Sequence, residues 1–354
     1  MSKHALKLLA TALGSALLFA AAPAQAQTVL KIGHTQAKGS HYDVGTTVFC
    51  DEVEKGTAGR YKCQMFPAGA LGGEREQIEA VQLGTQDAVV TSTGPVGNFV
   101  PDIKILDIPF LFRDYDHARK VLDGKIGQDL LAKFPAKGLI ALAWSENGFR
   151  HMTNSKRPIT SAADAGGLKM RTMENKVHMA GYKTFGILPT PMAFTELFTA
   201  LQQGTVDGQE NPVGVILASK FSQVQKHMSL TGHVYSPAMT LISPTVWGKL
   251  SEADKKVFLA AGVKSAAATR KKVNEDEANG IAILKKDGMQ IVEKVDGESF
   301  RKAVAPAYAE FAKEFDSELI FDCDVGSDEQ IDAMFADLAK TWPKIDGFVH
   351  AIGF

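Results

Sequence analysis

The sequence has little of what most function classes require. Its 39 lysines and arginines face 40 aspartates and glutamates, a formal net charge of −1. It therefore lacks the basic excess that holds a phosphate backbone, and a nucleic-acid binder is excluded. No low-complexity tract occurs, and with 45% hydrophobic and 22% charged residues the chain can bury enough surface to offset its ordering entropy, which excludes disorder. Only three cysteines are present and none forms a CxxC, so neither a redox dithiol nor a thiolate zinc site is signalled. There is no GxSxG elbow, P-loop, HExxH or GxGxxG, and the nine histidines are scattered rather than spaced as ligands. Asp322, Asp324 and Asp328 around Gly326 lack the spacing and the closing Glu of a calcium loop and read as a solvated turn. No catalytic residue, cofactor or metal ion is expected.

What is present begins with Lys3, His4 and Lys7 ahead of an apolar run from Leu8 to Ala22, then Ala24-Gln25-Ala26, the small-x-small pattern of a secretory cleavage site. The run is shorter than the roughly 20 residues that span a bilayer. Residues 1–26 are therefore read as a cleavable signal peptide, and the protein as exported. Their removal takes away Lys3 and Lys7 and no acid, leaving a mildly acidic chain. Export permits disulfides. Cys50 falls late in a helical stretch and Cys63 in the strand that follows; a bridge between them and a pair of small buried hydrophobes are both open, because sequence does not place their Cβ atoms. Cys323 is left over.

At roughly 100–200 residues per domain, 354 residues suggest two lobes. From residue 28 short β-branched runs alternate with amphipathic helices, which argues for α/β layers. Strands are expected at Val29–Gly33, Arg60–Phe66, Asp87–Thr91, Leu139–Ala143, Leu168–Arg171, Gly208–Gln209 and Met239–Ser243, with helices at His41–Lys55 and Glu74–Leu83. Gly84-Thr85-Gln86-Asp87 and Gly204-Thr205-Val206-Asp207 each follow a helix directly, an echo at 120 residues between 84 and 204. Each echo runs helix, glycine cap, short strand and polar turn. The turns are Thr91-Ser92-Thr93 and Gln209-Glu210-Asn211-Pro212, and in open α/β sheets ligands bind at such strand ends. A third feature joins the lobes. Ser251 and Asp254 start a helical pattern that continues to Lys286, about 50 Å at 1.5 Å per residue. Gly280 leaves two helices open as an alternative.

Arg171 ends the alternating strand Gly167-Leu168-Lys169-Met170-Arg171, and Arg150 follows Asn147-Gly148-Phe149. A guanidinium at a strand end can take a carboxylate bidentately, although an arbitrary arginine is more often in a surface ion pair. Asn211 before Pro212 reads by itself as a helix N-cap, and Phe194 as a core ring.

Several ordered blocks alter these weights. Gly167 to Arg171, Pro189-Thr190-Pro191-Met192-Ala193-Phe194-Thr195-Glu196, and Ala200 to Pro212, with Phe66-Pro67-Ala68-Gly69 and Asp107-Ile108-Pro109-Phe110, resemble the signature blocks of the DctP family. These are the periplasmic solute-binding subunits of tripartite ATP-independent periplasmic (TRAP) transporters. The resemblance implies a two-lobed periplasmic binding protein, class II-like, with a long helix spanning both lobes. The likeness runs from about Leu30 to about Phe315; residues 27–147 with about 237–276 are read as lobe I, 148–236 with about 277–330 as lobe II, and 331–354 as a C-terminal extension. The likeness implies an organic acid held between the lobes by Arg171, with Arg150 as a second arginine, Phe194 as a packing ring and Asn211 as an amide donor. Thr91, Ser92, Thr93, Glu74, Thr35 and Tyr235 are expected to face the rest of the ligand, which is a hydroxy acid, sugar acid or dicarboxylate. Sialic-acid binders of the family carry a Glu and an Asn where this chain has Ser92 and Glu174, so sialic acid is not expected. The expected partners are TRAP membrane permease subunits. Two other readings compete: a periplasmic hydrolase or lyase using Glu74 or Glu174 as base, and a receptor that feeds a sensor kinase.

Overall fold

The computed structural model describes residues 27–314 and 328–341; the expected signal peptide, Cys323 and residues 342–354 lie outside them. The first lobe runs β1 (Thr28–Gly33), α1 (His41–Gly56), β2 (Tyr61–Phe66), α2 (Glu74–Leu83) and β3 (Ala88–Ser92). After α3 (Tyr115–Asp123) and the long strand β4 (Ile140–Asn154), the second lobe repeats the unit as β5 (Lys169–Thr172), α4 (Lys176–Thr184), β6 (Leu188–Pro191), α5 (Phe194–Gln202) and β7 (Gly208–Asn211). Then follow β8 (His227–Ile242), α6 (Glu252–Lys286), β9 (Gln290–Val292) and α7 (Asp328–Thr341), with shorter helices between these elements. The sheet order is β2-β1-β3-β8-β4-β7-β5-β6, with β9 on β8.

The 120-residue echo is thus a structural repeat: parallel β2-β1-β3 in one lobe corresponds to parallel β6-β5-β7 in the other. One contact fixes the alignment. Asp87 accepts a hydrogen bond from the Lys31 backbone N–H at 2.7 Å, and Asp207 accepts one from the Lys169 N–H at 2.9 Å. Lys31 therefore corresponds to Lys169, and Gly33 to Arg171. Gly84 closes α2 in the left-handed region at φ 79°, and Gly204 follows α5 at φ 69°, where a Cβ would be strained.

Antiparallel β4 and β8 run from one lobe into the other. Ile140–Glu146 pairs with Pro237–Ile242, whereas Gly148–Asn154 pairs with His227–Ser236. The register slips three times, and the middle slip lies between Glu146 and Gly148, where Gly148 adopts φ 121°. Such bulges bend a strand and sharpen its twist, which suits a crossing between lobes. These strands are far longer than their sequence pattern suggests. Ser145, Glu146, Asn147, Arg150 and His151 break the apolar alternation, yet all are buried, because elements cover both faces of the sheet here.

Helix α6 is one helix of 35 residues capped by Ser251, so Gly280 does not divide it. Its glycine serves packing. A Cβ at Gly280 would lie 2.6 Å from Val213 Cγ1, and one at Gly45 of α1 would lie 2.1 Å from Thr269 Oγ1 of α6. The helix therefore approaches both lobes closely enough to exclude a methyl group at each contact.

Cys50 of α1 and Cys63 of β2 are joined in a disulfide with Cα atoms 5.5 Å apart. The bridge ties the first helix to the edge strand across a separation of 13 residues, and in the loop-entropy account such a closure is worth about 3 kcal/mol. The double variant Cys50→Ala/Cys63→Ala should unfold at lower urea than the oxidised protein, by about 2–3 kcal/mol, and dithiothreitol should shift the wild type in the same direction. Equal midpoints would show that the bridge adds nothing.

Candidate functional site

The repeat puts the carboxyl ends of β1, β3, β5 and β7 at the junction of the lobes, the place where an open α/β sheet accepts ligands. Arg171, on β5, is 2% exposed. Its Nε and Nη2 donate to the Met192 carbonyl at 3.0 and 2.9 Å, and its guanidinium carbon lies 5.9 Å from the centre of the Phe194 ring. That leaves the Nη1–Nη2 edge of the fork without a hydrogen bond to any described residue. No described carboxylate lies within ion-pair distance of it. Burial without a partner pulls its pKa down to about 10, further lowered by Arg150 although Glu210 and Glu74 oppose this; it stays charged at neutral pH, as a buried cation without a direct counterion.

Arg150 is fully buried and paired differently. It forms a salt bridge with Glu210 through Nε, and Nη2 donates to Glu210 Oε1 at 2.9 Å, the Glu210 carbonyl at 2.6 Å and Asn211 Oδ1 at 3.1 Å. Burial works against this cation, but the Glu210 carboxylate outweighs it and raises its pKa. Glu210 is also held by the Tyr182 hydroxyl at 2.9 Å. Burial opposes its charge, yet Arg150 keeps its pKa well below the usual range. The pair is self-neutralising. One Arg150 nitrogen, Nη1, is buried with no partner among the described residues. Asn211 ends β7, and the following short helix begins at Val213 with Pro212 as its cap residue, so Asn211 is not an N-cap. Its Nδ2 donates to Gln209 Oε1.

The first lobe supplies acceptors and hydroxyls. Glu74 opens α2, and its Oε1 accepts from the Thr91 hydroxyl at 2.8 Å and from the Ser92 amide and hydroxyl at 3.1 Å each, while its charge is felt by both Arg150 and Arg171. Thr35 follows β1, buried, with its hydroxyl unpartnered among the described residues. Tyr42, in the first turn of α1, is also buried, with an unpartnered hydroxyl. Sequence reasoning missed it, because an aromatic at a helix start reads as core. Two expected residues are not brought to this cluster. The Thr93 hydroxyl donates to Asp107 at 2.7 Å, and the Tyr235 hydroxyl donates to Glu146 at 2.8 Å amid the rings of Phe112, Tyr115 and Phe149. Tyr235 pairs with Phe149, next to the Arg150–Val234 pair, and alternation along the strand turns it to the opposite face from Arg150.

The lobes touch in front of this cluster. Met173 Sδ lies 3.6 Å from the Ser92 hydroxyl, and a Cβ on Gly94 would fall 2.6 Å from Met173. Glu74, Pro95, Arg171, Met173, Met192 and Phe194 line a narrow gap of about 20 Å³ between the lobes. A larger hollow of about 140 Å³ by Lys176, Lys183 and Glu310 presents exposed charges that water already screens. Among the described residues no group of three or more His, Cys, Asp or Glu could hold a metal ion, and no helix is long and apolar enough to cross a membrane.

The model of the family described as bacterial extracellular solute-binding protein, family 7 (DctP), matches residues 32–314. A crystal structure of a TRAP periplasmic solute-binding protein from Polaromonas sp. JS666 bound to D-erythronate is 74% identical. It has a TM-score of 0.81 and covers 88% of this chain and 99% of that one. A solute-binding protein of Verminephrobacter eiseniae is 56% identical over 83% of this chain and 88% of its own length. A TRAP periplasmic solute-binding protein of Bordetella, with density interpreted as pantoate, is 52% identical, with a TM-score of 0.80 and coverage of 87% and 98%. A second, shorter match, to the model described as enoyl-(acyl carrier protein) reductase, spans residues 280–354, well under half of the chain.

Asp107 ties the lobes together behind the cleft. Its Oδ1 accepts from Thr93 and its Oδ2 from Asn175 Nδ2 at 2.8 Å, while Asn175 also donates to the Gly94 carbonyl at 3.1 Å. Neighbouring His178, whose pKa burial pulls down to about 3, offers no charge, so burial pushes Asp107 up to about 7. A carboxyl whose folded pKa is raised holds a proton that the unfolded chain releases between about pH 4 and 7, so its contribution to stability falls as pH rises through that window. Wild type should therefore lose stability relative to Asp107→Asn from pH 4.5 to 7.5 in urea titrations. Parallel pH profiles would contradict the assignment.

Proposed function

The chain belongs to family 7 of the bacterial extracellular solute-binding proteins, the DctP family, and from that premise we propose that it captures a short hydroxylated monocarboxylate between its lobes and delivers it to membrane permease subunits. Members of this family are ligand-binding receptors rather than enzymes, and its similar structures are periplasmic proteins with small acids bound. The hydrolase or lyase reading has no support here.

One observation carries the choice of ligand: of two buried arginines, Arg150 is neutralised by Glu210 and Arg171 is not. A carboxylate on the open edge of Arg171 would gain about 4 kcal/mol at 4 Å for an effective dielectric near 20, and the bidentate geometry favours it further. A second carboxylate would find Arg150 occupied and Glu74 repelling it, which disfavours dicarboxylates. Hydroxyls suit Glu74, whose carboxylate accepts them. The similar protein from Polaromonas binds D-erythronate, a hydroxylated monocarboxylate that meets these requirements. Phe194 covers one face of the guanidinium and shields the pair from water.

In calorimetry, wild type should bind D-erythronate and should bind succinate at least about tenfold more weakly. Arg171→Ala should lose two to five kcal/mol of binding, roughly thirtyfold or more, while its unliganded melting temperature is retained. Unchanged affinity in Arg171→Ala, or a preference for succinate, would overturn the reading. Since Arg171 keeps its charge below about pH 10, affinity should be flat from pH 6 to 8. Delivery is tested by uptake: deleting the receptor should abolish import of labelled acid in cells retaining the membrane subunits, whereas a sensor role would leave import intact.

A further inference from the structure

The arginine cluster of the second lobe explains how an acid group is held, but leaves open how the first lobe distinguishes one acid from another. Tyr42 is among the largest fully buried side chains in the protein, at 1% exposure. Its ring is fixed on two sides, edge-on to His41 at a centroid distance of 4.6 Å and to His34 at 6.3 Å. The hydroxyl is thereby aimed rather than free to swing. It lies near Glu74, Arg150 and Ser92, the last able to accept its proton, yet it forms no hydrogen bond of good geometry with any described residue. The Ser92 hydroxyl donates to Glu74 and Arg150 to Glu210, so neither donates to the phenol.

A buried hydroxyl without a partner is costly and rarely kept without a use. Phenylalanine would fill the same volume between the histidines without that cost. Other buried polar atoms without a partner among the described residues are the ring nitrogens of His34 and His41 Nδ1, which flank Tyr42, and Arg150 Nη1, Thr35 Oγ1 and Thr172 Oγ1 at the junction of the lobes. Burial also raises the Tyr42 pKa well above its ordinary value, so the phenol remains a proton donor throughout the neutral range.

We propose that Tyr42 is the residue by which the first lobe recognises a ligand hydroxyl, the phenol and the ligand hydroxyl hydrogen-bonding at the deep end of the cleft while the carboxylate rests on Arg171. The proposal builds on the monocarboxylate reading above. It makes Tyr42 a determinant of which hydroxyl pattern is accepted, with Arg171 setting only the requirement for an acid. A ligand lacking that hydroxyl leaves the phenol unpaired in the closed cleft, so discrimination comes from the group left without a partner.

The test is a cycle between protein and ligand. Wild type and Tyr42→Phe are titrated by calorimetry with D-erythronate and with its 2-, 3- and 4-deoxy analogues, with Arg171→Ala in parallel. Tyr42→Phe should lose about tenfold or more on D-erythronate. On the one analogue that lacks the recognised hydroxyl, the advantage of wild type should vanish or reverse. A Tyr42→Phe affinity equal to wild type on D-erythronate, or the same loss on all three analogues, would overturn the role of Tyr42 while leaving an Arg171→Ala defect, and hence the monocarboxylate reading, intact. Binding of none of the four acids by wild type would overturn both. Matching melting temperatures of the two unliganded proteins would exclude a purely structural loss.

Discussion

Two arginines are buried within one sheet, and only one of them has a carboxylate. This asymmetry organises the junction between the lobes. Glu210 sits one position before Asn211 on β7, directly across from β4, where Arg150 meets it. The pair holds the central strands together at low electrostatic cost, because each charge satisfies the other where neither could remain alone. Arg171, one strand further out, is held by a carbonyl and a ring instead. A carbonyl orients a guanidinium without neutralising it, which is the condition a receptor for anions has to meet.

The repeated unit accounts for the division of labour. Gly33 corresponds to Arg171 and Glu74 to Phe194, the first residue of the equivalent helix. The first lobe has no side chain where the second has its cation. A Cβ at Gly33 would lie 2.1 Å from Gln77 Oε1, so that position is filled by an internal amide network. At the helix start the first lobe has an acid where the second has an aromatic ring. Two copies of one topology have therefore become a cation-bearing wall and an acceptor-bearing wall, joined by β4 and β8, which bend at their bulges, and braced by α6. The chain's near-zero net charge is consistent with this, because no global field attracts anions and the attraction has to be local.

Much of this was legible in the sequence, unevenly. The repeat and the long helix could be read because glycine caps and a serine cap leave local signals, whereas Arg171 stood out from other arginines only through the family resemblance. The crossing strands could not be read at full length, since Ser145, Glu146 and Asn147 look like a loop until the elements that bury them are known. Thr93 and Tyr235 were expected in the cleft from the family resemblance, which places a turn or a block but not the direction of each side chain. Strand alternation and buried acids, Asp107 and Glu146, draw their hydroxyls elsewhere. Tyr42 carried no local signal at all: the value of its hydroxyl appears only when Ser92, Glu74 and Arg150, distant in sequence, are seen around it. The Cys50–Cys63 pair stood between two readings until the Cα separation was known.

Among the described residues Arg171 is the buried arginine without a carboxylate, whereas Arg150 is charge-paired with Glu210. A crystal structure of the protein with D-erythronate bound tests this asymmetry most directly. The carboxylate oxygens should lie on the open edge of Arg171, with the Arg150–Glu210 salt bridge unbroken. A carboxylate seated on Arg150 with Glu210 displaced, or one bound away from Arg171, would contradict it.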